Sequence, residues 1–280
     1  MARPTVAIAH GRDPRALVRE ALQHIDAAAL LSAGDRIVVK PNYVEPMMPE
    51  TGTTTDPRVI EAVVEWLQDV GARDITIAES TWEKARTDRA FEMVRLPEVA
   101  KRRGVKLLNF YDDELVDVDI PDALSLHRVR LPRTALEADC LISVPKLKCH
   151  SMAYVTLGIK NLMGAVFPDK GLMHHQLHQR LSDLATVLRA KLTVIDGLIG
   201  SERHENAGTP VKTDVIVAGK DPVATDAVGA MVMRIDPTRV EHLRLCHEHG
   251  LGEHRPDHIT VVGEPVERVC KPYQRPSRYR

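Results

Sequence analysis

Short apolar runs alternate with amphipathic stretches along almost the whole chain. Residues 5–9, 36–40, 74–79 and 105–109 read as strands. Between them lie helical patterns. Asp13-Pro14 opens a helix with Leu17, Ala21, Ile25 and Ala28 on one face, ending at Gly34. Asp56-Pro57 opens a second over 57–70, stopping at Gly71, and a charged helix over 83–103 stops at Gly104. Residues 116–120 and 126–131 read as an antiparallel pair, and 140–144 as a buried strand followed by Pro145. The rhythm then resumes: helix 176–190, strands 192–196 and 214–218, helices 222–233 and 237–249, and strand 258–262.

This order predicts an α/β fold: a mainly parallel or mixed sheet, helices on both faces, with two lobes as a variant sharing a central site. No repeat or long linker divides the chain, so residues 1–263 are expected to form a single domain. The Pro- and Arg-rich stretch 264–280 is expected to lie loosely on the surface.

Composition narrows the function. Aromatics are 4 %, too few for stacking platforms along single-stranded nucleic acid. Net charge is −1, so no global field draws in a polyanion, and any anion recognition must be local. Cys140, Cys149, Cys246 and Cys270 include no CxxC pair, which speaks against a zinc ribbon or an iron–sulfur segment and for a reducing compartment. The start of the sequence has no signal-like stretch and no run suits a spanning helix, so a cytoplasmic protein without membrane or nucleic-acid partners is expected. A homodimer is the expected assembly.

Chemistry concentrates in loops after strands, where ligands of such sheets bind. Lys40-Pro41-Asn42-Tyr43 closes one strand and leads through Glu50-Thr-Gly-Thr-Thr-Thr-Asp56 to a helix start. Lys40, Asn42 and the hydroxyls around Thr54 suit a phosphate or carboxylate there, whereas Asp56 as a cap and a polar loop is the plain structural alternative. The richest stretch is 146–178. Residues 146–180 hold Lys146, Lys148, Lys160, Lys170 and Arg180 against one acid, Asp169, an excess of four positive charges. Lys146, Lys148 and Asn161 are the expected anion binders, with His150, Lys160 and His178 as acid–base or electrophilic groups. His174 and His178, spaced i, i+4, share a face if helical and with Asp196 form a candidate divalent-metal site. Asp196 could equally pair with a site lysine. Asp221 reads as a helix cap, and Asp226 as a buried partner for a lysine.

Val39-Lys-Pro-Asn42, Lys146-x-Lys148, His150, Lys160-Asn161-x-x-Gly164, Asp196-Gly197 and Asp221-Pro-Val-Ala-Thr-Asp226 together resemble the family called domain of unknown function 362 over about 5–263. Many of its members carry a ferredoxin-type cluster segment. This chain lacks those cysteines, so no iron–sulfur cluster is expected. A weaker similarity is to the N-terminal domain of lactate racemase. It would make Lys160 the counterpart of a lysine holding a nickel-pincer cofactor, and His150 with His174 or His178 the proton carriers. The Gly-Gly before that lysine is Gly158-Ile159 here.

The leading expectation is an enzyme using Lys/His acid–base chemistry on a small carboxylate or phosphate, by isomerisation, racemisation or elimination. The alternatives are a metal-dependent or redox enzyme with a His/Asp site, and a non-catalytic anion-binding protein.

Overall fold

Asp13 and Asp56 do at helix starts what a short carboxylate does best. Their side chains accept the Arg15 and Arg58 backbone N–H groups, each with proline in the first turn. The computed structural model describes residues 3–279. Twelve strands run β1 Thr5–His10, β2 Arg36–Lys40, β3 Asp74–Glu79, β4 Lys106–Asn109, β5 Leu115–Asp119, β6 Arg128–Pro132, β7 Cys140–Ser143, β8 Lys146–His150, β9 Tyr154–Thr156, β10 Leu192–Glu202, β11 Thr209–Gly219 and β12 Thr260–Gly263. The helices are α1 Pro14–His24, α2 Pro57–Asp69, α3 Lys84–Met93, α4 Leu96–Arg103, α5 Arg133–Leu136, α6 Gly158–Asn161, α7 Leu177–Val187, α8 Pro222–Val232, α9 Glu241–Glu248 and α10 Val266–Val269.

One mixed sheet carries both halves of the chain, in the order β12-β1-β11-β10-β7-β2-β3-β4. Only β11 runs against its neighbours on this path. β5 and β6 form a separate antiparallel ribbon. Apolar side chains of α1 to α4 fill one face of the sheet, and those of α6 to α9 fill the other. No helix among the described residues is long and apolar enough to cross a membrane.

Three departures from the sequence pattern shape the site. First, Lys146–His150 is a strand, not a loop. β7 and β8 lie end to end along β10, joined through Val144-Pro145: β7 pairs at Leu192 and Thr193, β8 at Asp196 and Ser201. Every residue of β8 is buried. Second, the charged helix 83–103 is two helices, because Arg95 takes a left-handed conformation between them. Third, the final segment is docked rather than loose. Val269 and Tyr273 are buried, Tyr273 Oη shares a hydrogen bond with Thr213 Oγ1 (2.7 Å), and Tyr279 stacks on Tyr154 while donating to Met152 O (2.6 Å).

Candidate functional site

At the carboxyl ends of β2, β3 and β8 lies a small cleft. β8 sends Lys146, Lys148 and His150 to one side at period two, while Leu147 and Cys149 join the core. Lys148 and His150 line the cleft with Lys160, Asn161, Asn42, Lys170 and His174. The lining also includes Glu79, Ser80, Thr81 and Trp82 from the end of β3, and Glu205 from the β10–β11 turn.

The lysines fall into two kinds. Lys40 and Lys146 are buried in ion pairs. Lys40 Nζ meets Glu79 Oε2 at 2.8 Å, and Lys146 Nζ meets Asp196 Oδ2 at 2.7 Å. Burial pushes Lys40 down and Glu79 up, and their mutual attraction opposes both shifts. Gly164 sits so close that a Cβ there would stand 2.3 Å from Glu79 Oε1 and 2.6 Å from Lys40 Nζ, so glycine is what lets the pair close.

Lys148, Lys160 and Lys170 are equally buried but have no carboxylate at ion-pair distance among the described residues. Lys148 Nζ donates to Thr53 O (2.9 Å). Lys160 Nζ touches Met163 Sδ (3.3 Å). Lys170 Nζ reaches Ser80 Oγ (3.2 Å) and Val166 O (3.1 Å), 4.4 Å from the Phe167 ring centroid. Burial lowers Lys148 to about 7, helped by neighbouring Lys160 and opposed by Glu205. Burial also brings Lys160 and Lys170 to about 8. Asn42 Oδ1, Tyr43 Oη and Thr156 Oγ1, on residues of the cleft lining, lack a hydrogen-bond partner among the described residues.

His150 has a fixed role. Its Nδ1 accepts the Met152 and Ala153 backbone N–H groups, both at 3.1 Å, in the tight turn to β9. A nitrogen accepting two N–H groups carries no proton, so the neutral ring bears its hydrogen on Nε2. Burial, with Lys160 and Lys148 nearby, drives its pKa far down. His150 is therefore a neutral donor rather than a base. Glu205 braces the turn, accepting Ser151 N (2.8 Å) and Ser151 Oγ (2.9 Å). In a long-range ¹H–¹⁵N spectrum, His150 will keep the Nε2–H pattern down to about pH 5; an ordinary titration near pH 6.5 would contradict this assignment. His174 stacks on Trp82 (centroids 5.9 Å) at the rim, and burial lowers its pKa.

Several expected site residues stand elsewhere. Lys146 and Asp196 neutralise each other beneath the cleft. Asp196 Oδ2 also accepts Asp56 N (2.7 Å), and Oδ1 accepts Leu198 N (3.0 Å), so this carboxylate is not a free metal ligand. The 51–56 loop turns its hydroxyls inward. Thr55 Oγ1 donates to Val144 O and accepts Asn42 N, and Thr54 is buried outside the cleft lining. His174 and His178 share no helix face: His174 ends a 3₁₀ turn, and Gln176, at φ 51°, breaks the chain before α7. His178 stacks on His242 instead, Nδ1 to Nδ1 at 3.3 Å, outside the cleft lining and in a neighbouring depression that His174 also borders. Asp226 pairs with no lysine. It accepts Gly158 N (2.7 Å) and Ile159 N (2.8 Å), capping α6, and burial raises it to about 7.

Glu79, Trp82 and Glu205 are additions. Glu79 carried the signal used for Lys40, a charge closing an apolar strand. The four cysteines lie apart, in β7, β8, α9 and after α10, and offer no grouped thiolates for an iron–sulfur cluster.

The chain is 26 % identical over 265 residues to a thylakoid-associated protein of Synechocystis sp., covering 87 % of this chain and 77 % of that one. Among solved structures, the lactate racemase apoprotein of Thermoanaerobacterium thermosaccharolyticum matches 88 % of the chain with a TM-score of 0.41 at 11 % identity, and this chain spans 57 % of that enzyme. A family model described as Domain of unknown function (DUF362) matches residues 37–231.

Proposed function

The chain belongs to the DUF362 family, whose matched region contains every residue lining the cleft, and we propose that it is an enzyme that binds a small carboxylate- or phosphate-bearing molecule and moves a proton beside the anionic group. The carrying observation is the convergence of Lys148, Lys160 and Lys170 on one cleft with no carboxylate at ion-pair distance among the described residues, Glu205 and Glu79 acting on them only from farther off. A buried cation without a partner costs several kcal/mol unless it loses its proton or meets an anion. An anionic ligand removes that cost. It would sit between Lys148 and Lys170.

Chemistry follows from the remaining groups. Lys160, near 8, can give or take a proton close to neutral pH, or attack a carbonyl as the free amine. His150 Nε2–H is placed to donate to an oxygen that gains charge. His174 at the rim is the second group able to accept a proton. Lys40 and Lys146 hold the walls in place rather than the ligand.

The test is direct. The protein is incubated in D₂O with a panel of 2-hydroxy, 2-keto and phosphorylated small acids, and loss of the carbon-bound proton signal, at C2 of the hydroxy acids and C3 of the keto acids, is followed by ¹H NMR. Exchange with at least one acid, abolished in Lys160→Met, is the expected result. Anion binding without exchange would leave a non-catalytic binder, and no binding at all would end the proposal.

Protonation gives a second check. Near pH 8, Lys148 is largely neutral in the free protein, and a bound anion recharges it. Calorimetry of phosphate binding in buffers of different ionisation enthalpy will therefore record proton uptake, and affinity will fall as pH rises through about 7–9. Binding with no proton uptake would contradict the lysine assignment.

A further inference from the structure

At the sheet edge opposite the cleft, near the start of β1, a second group of ligand-type side chains meets. We propose that His247, Glu253 and His254 form a binding site for a late first-row divalent metal such as Zn²⁺. His247 lies on α9, and the other two on the loop that leads to β12. One donor atom from each lies within 4.8 Å of the other two.

The second observation is His254 itself. It is only 7 % exposed, yet its Nδ1 has no hydrogen-bond partner among the described residues, and it faces Glu253 Oε1 at 3.8 Å. Metal bonds of about 2.0–2.1 Å at tetrahedral angles put donors roughly 3.4 Å apart, so this gap closes by a few tenths of an ångström. His247 Nδ1 lies 3.7 Å from Glu253 Oε1 and donates to Gly252 O at 2.8 Å, a bond that metal binding through this nitrogen would displace. His258 Nδ1 lies 3.9 Å from the other oxygen, Glu253 Oε2, and stands outside the group of three. Two imidazoles with one carboxylate select zinc, nickel or copper over magnesium or calcium.

Arg255 competes. Its Nε and Nη2 hold both Glu253 oxygens at 2.9 and 2.6 Å, and Arg255 N also donates to Oε1 (2.9 Å). Asp221 lies behind the cluster, but its oxygens already cap α8 and accept Glu253 N (3.1 Å). A metal here would clasp the end of α9 to the loop entering β12. These residues lie beyond the 37–231 match, and the site is independent of the proposed activity.

The experiment uses the full chain stripped of metal and titrated with Co²⁺ alone. One equivalent should bind with a visible absorption band, be displaced by Zn²⁺, and raise the unfolding temperature. His247→Ala and His254→Ala should each weaken Co²⁺ at least tenfold, the loss that even outer-shell changes bring. Arg255→Gln should tighten it by removing the competitor, and Lys148→Met should leave it unchanged. If His254→Ala does not fold, by circular dichroism, His247→Ala and Arg255→Gln decide. No Co²⁺ band at saturating metal, or a band unaltered in the His247 variant, overturns the proposal.

Discussion

Lys148→Met will make the ligand-free protein more stable and cost it its anion. The parent buries a lysine whose pKa has fallen from 10.5 to about 7, so below neutrality the folded state holds a charge it solvates poorly. The unfolded chain keeps its proton up to about pH 10.5, whereas the folded one releases it near 7. The folded state therefore binds fewer protons between these limits, and parent stability rises with pH across them. Methionine has a similar length and no charge. It should add roughly 2–4 kcal/mol at or below pH 7, set off in part by the lost bond to Thr53 O, and the gain should vanish toward pH 10. Losing one member of a buried charge contact should weaken phosphate or carboxylate binding by about 2–5 kcal/mol. Urea unfolding at several pH values and calorimetry read both effects. A variant that is less stable and still binds would sink the idea that Lys148 awaits an anion.

Asp196→Ala is expected to be the most damaging single change near the cleft, although Asp196 does not line it. Its carboxylate receives Lys146 Nζ and Asp56 N, both at 2.7 Å, and Leu198 N at 3.0 Å. Alanine leaves Lys146 charged with no partner and frees the backbone N–H at the residue that caps α2. Removing one side of a buried pair costs about 3–5 kcal/mol. The urea midpoint should fall with the slope unchanged. Replacing both members, Lys146→Met with Asp196→Leu, should recover much of the loss. If the single variant unfolds at the parent's midpoint, the pair is not the keystone described.

The alternation of strands and helices was legible because apolar period and proline-marked caps are local signals. So was the lysine excess after β7. What could not be read is which lysine meets which acid. Lys146 and Lys148 are two residues apart on one strand face, and only the tertiary position of Asp196 makes the first structural and leaves the second free. His174 and His178 looked like a helical pair because spacing assumes a continuous helix, and the turn at Gln176 breaks it. The terminal segment looked loose from its prolines and arginines, yet Tyr273 and Tyr279 pin it by long-range contacts. Glu205 reaches the cleft only because β10 and β11 extend well past their apolar cores.

β8 tolerates changes of identity far better than changes of length. Its cleft-side row and its core row, Leu147 and Cys149, interleave at every other position, and its start is set by Val144-Pro145 and by the Lys146–Asp196 register. Deleting or inserting one residue there would turn each side chain to the opposite face. Lysines would enter the core and Leu147 the cleft. Descendants of this sequence can therefore retune the cleft by exchanging side chains along β8, while the spacing between Pro145 and His150 is the part that evolution must leave alone.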